Sequence, residues 1–116
     1  MEIWHNPRCS KSRQTLALIE ERGGEPAVRR YLDEPPSAAE LERALTALGL
    51  EPWEIARMGE DRARELGLAD RERDRGVWIE LLAANPILIE RPIVIADDGR
   101  AILGRPPERV RDLLGD

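Results

Sequence analysis

His5-Asn6-Pro7-Arg8-Cys9-Ser10-Lys11-Ser12 is the stretch on which the reading of this chain turns. Glu2 to His5 reads as a short β-like start, broken by Asn6-Pro7, a dipeptide that favours turning. A helix then follows from Cys9, with Ser12, Thr15, Leu16 and Ile19 at helical spacing and Gly23-Gly24 as its stop. The thiol of Cys9 therefore sits in a strand-to-helix turn at a helix N-terminus, where free N–H groups and the helix dipole favour thiolate over thiol. His5, Arg8 and Lys11 would add positive charge there. The plainer alternative is a small buried hydrophobe, the common fate of free cysteine, but the neighbours of Cys9 are polar and cationic. Ser12 lies on the same side of the helix and would either donate a hydrogen bond to the thiolate or cap the helix. For His5, an effect on the field or orientation around Cys9 is favoured over direct proton transfer.

Outward from this turn, Pro26 to Leu32 carries Val28, Tyr31 and Leu32 and reads as a second strand, completing a βαβ-sized unit. Ser37 with Glu40 forms a capping box ahead of an apolar stripe at Leu41, Ala44, Leu45 and Leu48, and Gly49 ends that helix. Short helical turns are expected over Pro52–Met58 and Asp61–Leu66. The run Asp70-Arg71-Glu72-Arg73-Asp74-Arg75 reads as a solvated stretch with helix-type charge pairing. Val77 to Ala84 is a further helix, stopped by Asn85-Pro86. The period then changes: Arg91 to Ala96 is a β-branched run, Asp98-Gly99 a hairpin turn, Ala101 to Gly104 the return strand, and a last helix opens at Pro106 or Pro107. The order βαβ, helical insert over about 37–85, ββα matches a thioredoxin-like α/β fold in a single domain spanning 1–116.

Composition narrows the function. The chain has 116 residues, 23 acidic and 18 basic, a net charge of -5, one His and one Cys. That balance argues against a general nucleic-acid coat, which needs a basic surface to neutralise phosphates. No apolar run approaches a membrane span and the first residues carry no secretory h-region, so a cytoplasmic protein is expected. One His and one Cys leave no ligand set for zinc, so no metal site is expected. Cys9 cannot close a disulfide within its own chain, and redox chemistry there must borrow a second thiol. Basic residues are skewed to arginine, Lys11 being the one lysine. Genomic nucleotide composition is the plain reason for most of them, but a planar guanidinium also grips oxyanions at two points where an ammonium cannot.

The stretches His5–Arg13, Tyr31-Leu32 with Pro35-Pro36, Asn85-Pro86-Ile87-Leu88, Arg91-Pro92-Ile93-Val94 and Gly104-Arg105-Pro106-Pro107-Glu108 together resemble the glutaredoxin-dependent arsenate reductases. The likeness runs in order from residue 3 to about residue 114. It implies that Cys9 is the nucleophile, supported by the surrounding turn residues His5, Asn6, Arg8 and Ser12. It implies that Arg57, Arg91 and Arg105 bind the oxyanion. Arg91 and Arg105 lie inside well-matched motifs, whereas around Arg57 the match is looser and Arg62 or Arg64 stand as alternatives. Pro92 matches the cis-proline that thioredoxin-like folds set opposite the active thiol.

The resemblance implies reduction of arsenate to arsenite through a Cys9 thiol-arsenate adduct, by a monomer with no bound cofactor, glutathione as co-substrate and glutaredoxin as partner. Two other readings stay open. One is a glutathione-dependent thiol-disulfide reductase whose arginines bind glutathione carboxylates. The other is a non-enzymatic regulator docking on RNA polymerase; relatives of that kind carry a Cys-x-x-Cys switch, and the fourth position here is Ser12.

Overall fold

The computed structural model describes residues 1–115. The first element, β1 (Glu2–Trp4), buries Ile3 and Trp4. The turn then leads into α1 (Ser10–Glu21), whose buried side chains Ser12, Thr15 and Ile19 recur at the spacing of one helix face. β2 (Ala27–Arg29) lies parallel to β1 with Trp4 opposite Arg29. β3 (Ile93–Ile95) pairs antiparallel to β1, Trp4 opposite Ile93, and β4 (Ala101–Leu103) returns antiparallel to β3, Ile93 opposite Leu103. The sheet order is β2-β1-β3-β4, a thioredoxin-like α/β arrangement. Ile3, Ile19, Val94, Val110 and Leu113 form the core under it, each buried aliphatic side chain contributing about 1.5–3 kcal/mol.

The chain divides into two compact units, one made of residues 1–34 with those from Arg91 onward, the other of Pro35–Glu90. The second is helical. Its first helix, α2 (Ala38–Leu48), carries the expected capping box, Ser37 Oγ accepting from the Glu40 N–H at 3.1 Å and Glu40 Oε1 from the Ser37 N–H at 3.0 Å. Gly49 ends it with φ 71°, a left-handed turn that costs glycine little. A 3₁₀ turn at Pro52–Glu54, α3 (Asp61–Glu65), a second 3₁₀ turn at Leu68–Asp70, α4 (Arg75–Ala84) and a third 3₁₀ turn at Pro86–Leu88 follow. Among the described residues no helix is long and apolar enough to cross a membrane.

Several expected boundaries move. Tyr31 and Leu32 lie beyond β2 in a turn, and Val28 is exposed because β2 is an edge strand with no sheet neighbour on its outer side. The charged run does not pair along a helix: residues 71–74 are non-helical, the Asp74 side chain caps α4 by accepting from the Val77 N–H at 3.0 Å, and the helix opens at Arg75. Arg73 stacks over the Trp53 ring. The terminal helix begins as a 3₁₀ turn over Pro107–Val110 before α5 (Arg111–Leu114), since prolines suit a first turn but donate no N–H to it.

Candidate active site around Cys9

Sheet register brings the sequence motifs to one end of the first unit. Just past β1, His5 N–H donates to Arg29 O at 2.7 Å, and just before β3, Pro92 O accepts from the Gly104 N–H at 2.9 Å. His5, Arg91-Pro92 and Gly104-Arg105 are thus neighbours across the strand ends. Gly104 has no room for a side chain: a Cβ there would lie 2.7 Å from Thr15 Oγ1 and 2.8 Å from Pro92 Cγ. The Arg91-Pro92 peptide is cis, as the resemblance implies, and so is Arg105-Pro106, which no sequence signal singles out. Arg105 donates from a terminal guanidinium nitrogen to Arg91 O at 3.1 Å, linking the two arginines.

Cys9 occupies the N-cap of α1 with extended backbone, φ -97° and ψ 120°. Its N–H donates to Asn6 O at 3.0 Å and its carbonyl accepts from the Arg13 N–H at 3.0 Å. Burial pushes the thiol up, but that push is overcome by the backbone N–H of Ser12, the hydrogen bond and charge of Arg91, and the backbone N–H of Lys11. The net result is a thiol held below its ordinary range, and therefore a larger thiolate fraction at neutral pH. The helix N-terminus does what the sequence suggests. The charge comes from Arg91, 82 positions along the numbering, rather than from His5, Arg8 or Lys11 side chains.

The expected roles of Ser12 and His5 change accordingly. Ser12 neither caps α1 nor sends its hydroxyl to Cys9; its Oγ accepts from the Asn6 N–H at 3.1 Å and lies 2.6 Å from His5 Nδ1. Ser12 Oγ and His5 Nδ1 thus share one hydrogen bond, with Nδ1 as donor or acceptor according to the ring's tautomer. Burial, reinforced by the positive charges of Arg30 and Arg13, lowers the His5 pKa and agrees with a neutral ring. His5 thus anchors the turn rather than charging it. Asn6 Oδ1 accepts from the Arg8 N–H at 3.0 Å, closing the loop that carries the thiol. His5, Asn6, Ser12 and Thr15 are all buried. Sequence reasoning missed Thr15, Arg13 and Arg30; Thr15 was visible only as a member of the inward helix face.

The other candidate arginines belong to the second unit. Arg57 follows a bridge between Ala56 and Ile89, its N–H donating to Leu88 O at 2.7 Å. Its guanidinium meets Glu60 at 3.2 Å and Glu90 at 3.0 Å. Arg62 reaches Asn85 Oδ1 at 2.8 Å and Glu65 at 3.0 Å, and Arg64 pairs with Asp61. The Arg57 side chain is 24 % exposed against 45 % for Arg62 and 63 % for Arg64, which makes it the most sheltered of the three. Among the described residues no group of three or more His, Cys, Asp or Glu is placed to hold a metal ion.

Fold and turn together define a thioredoxin-like protein with a single low-pKa thiol at a helix N-terminus, overlain by an arginine from a neighbouring strand end. Residues 4–113 match the ArsC family, and the chain belongs to that family. It is 44 % identical to an arsenate reductase of Neisseria meningitidis over 98 % of this chain and 97 % of that one. It is 50 % identical to an uncharacterised protein in the glnII region of Streptomyces viridochromogenes, over 98 % of each. Among solved structures, the arsenate reductase from Vibrio cholerae superposes with a TM-score of 0.90 at 46 % identity, covering 96 % of this chain and 94 % of that one.

Proposed function

We propose that the protein reduces arsenate to arsenite in the cytoplasm, as a monomer, with electrons from glutathione and glutaredoxin. The observation that carries this reading is the Cys9 thiol, held low by helix N–H groups and Arg91 with Arg105 bonded behind it. A guanidinium beside a thiolate suits an anionic substrate whose centre the sulfur attacks, and Arg105 is hydrogen-bonded to the backbone of the residue that supplies it. The resemblance adds Arg57 to the oxyanion ligands, with Arg62 and Arg64 as alternatives, and Arg57 would exchange its contacts with Glu60 and Glu90 for the anion.

In the proposed cycle the Cys9 thiolate forms a bond to arsenic(V) and one arsenate oxygen leaves as water after protonation. Glutathione then attacks the adduct, two electrons pass to arsenic, arsenite departs, and Cys9 is left in a mixed disulfide with glutathione. Glutaredoxin takes the glutathione from that disulfide and returns Cys9 as thiolate. The external thiols are required because Cys9 is the chain's sole cysteine. Purified protein with arsenate, glutathione, glutaredoxin, glutathione reductase and NADPH should oxidise NADPH, and Cys9→Ser should not. Oxidation that is absent in the wild type, or equal in Cys9→Ser, sinks the reading.

A further inference from the structure

No carboxylate occurs in 3–19, 26–32, 91–96 or 99–107, the segments that carry the strands and the thiol turn. Of the carboxylates that flank these segments, Glu2 at the start of β1, Asp97 and Asp98 in the β3–β4 turn, and Glu20 and Glu21 at the close of α1 lie at the opposite end, while Asp33 and Glu34 follow Arg30 in the turn after β2 and Glu90 precedes Arg91. Met1 pairs with Asp97, so the opposite end is partly neutralised. At the thiol end stand Arg8, Lys11, Arg13 and Arg30, all exposed. Register sets Arg30 beside His5, and the charges of Arg30 and Arg13 both reach the His5 ring. Arg13 folds back to donate to Pro7 O at 2.9 Å, a contact that leaves its charge uncancelled. Among the described residues none of these four forms an ion pair, nor do Arg43, Arg71, Arg73, Arg109 and Arg111, whereas Arg57, Arg62, Arg64, Arg75 and Arg100 do, in a chain whose net charge is -5.

Leaving four like charges unneutralised around a single thiol is unfavourable for the fold and favourable for attracting an anion. We propose that Arg8, Lys11, Arg13 and Arg30 form a collar that draws a small carboxylate-bearing thiol to Cys9, and so set which external thiol reacts there. This rests on the reading above only in giving Cys9 an external thiol as redox partner. The substrate arginines deal with the oxyanion; the collar deals with the reductant.

The test uses no arsenate. Cys9 is converted with 4,4′-dithiodipyridine to its neutral pyridyl mixed disulfide. An incoming thiolate attacks the Cys9 sulfur, the S–S bond to the pyridyl group breaks, and 4-thiopyridone is released and followed by absorbance. Glutathione, 2-mercaptoethanol and cysteamine supply negative, neutral and positive thiols. Each rate is divided by that thiol's rate on the pyridyl disulfide of mercaptoethanol, to remove intrinsic nucleophilicity. The normalised order should be glutathione, then 2-mercaptoethanol, then cysteamine, spanning roughly tenfold at low salt and collapsing near 1 M salt. Lys11→Gln and Arg30→Gln should each lower the glutathione rate by roughly twofold to threefold, leave 2-mercaptoethanol unchanged, and contrast with a silent Arg43→Gln in the second unit. Equal normalised rates for the three thiols, or a charge preference that both variants leave intact, overturns the proposal. If a variant misfolds, the thiol and salt series on the wild type still decides, and arsenate turnover can fail without touching either.

Discussion

Arg75 in the second unit donates to Glu42 at 3.1 Å, to Glu51 at 2.9 Å and to Leu50 O at 3.2 Å, whereas Arg91 in the first unit reaches the sulfur of Cys9. Arg75 ties the start of α4 to the middle of α2 and to the loop after it. Its carboxylate partners raise its own pKa and lower that of Glu42, so every group keeps the charge it already has at neutral pH. Arg91 faces a group whose protonation is undecided at neutral pH, and the same guanidinium charge there changes the chemical species present. What a side chain contributes depends on whether its partner titrates near working pH, and not on how many bonds it makes.

The sharpest way to break that contrast is Arg91→Ala. The pH profile of Cys9 reactivity toward 4,4′-dithiodipyridine should move upward, and a pKa higher by one leaves about tenfold less thiolate at any pH below both values. Arg91→Lys should recover part of the reactivity, since an ammonium keeps the charge but not the planar fork. A profile that stays put in Arg91→Ala would mean that backbone N–H groups alone hold the thiol down.

Two substitutions probe the packing beneath the turn. Gly104→Ala forces a methyl against Thr15 and Pro92 and should destabilise the fold by about 1–3 kcal/mol in urea unfolding. Ser12→Ala leaves the Asn6 N–H and His5 Nδ1 unsatisfied in a buried site, at about 1–3 kcal/mol. Because Ser12 reaches Cys9 through its backbone, the reactivity profile of Ser12→Ala should move far less than that of Arg91→Ala. A larger displacement in Ser12→Ala would reverse the assignment.

Stability against pH separates the same groups. Cys9 has a folded pKa below its ordinary value, so its contribution is full above the ordinary thiol pKa of about 8.5 and is lost as pH falls through the folded value. His5 is also lowered, so its contribution is full above about 6.5 and is lost as pH falls further. Unfolding midpoints should therefore decline from alkaline to acid pH in two stages, and Cys9→Ser should erase the upper one only. Retention of both stages in Cys9→Ser would assign the upper stage to another group.

The thiol turn was legible in the sequence because its determinants are local: Asn6-Pro7 breaks the strand, and Cys9 falls at the N-cap whatever the rest of the chain does. The βαβ–insert–ββα order was legible through periodicity and turn residues. What escaped depends on register or on distance along the chain. Spacing put Ser12 and Cys9 on one side of α1 but could not say which atom of Ser12 points where, and the hydroxyl went to His5. Arg91 reached Cys9 only through resemblance, since pairing of Trp4 with Ile93 is not written locally in either strand. Tyr31 looked like strand because it stands with Val28 and Leu32 in one short run, yet it is buried from a turn beyond β2. The charged run misled because alternating signs imply pairing along a helix, and Arg75 found its partners 33 and 24 residues away.

The smallest effect belongs to Arg75→Gln, and it completes the comparison. The Glu42 partner is exposed to water, where a single ion pair contributes little and is screened by salt. Loss of the guanidinium should lower thermal stability slightly, with the difference from wild type shrinking as salt rises. Cys9 reactivity should keep its pH profile, because Arg75 is absent from the groups that set it. If Arg75→Gln instead moved that profile as Arg91→Ala does, Arg75 could not be counted as a purely structural arginine.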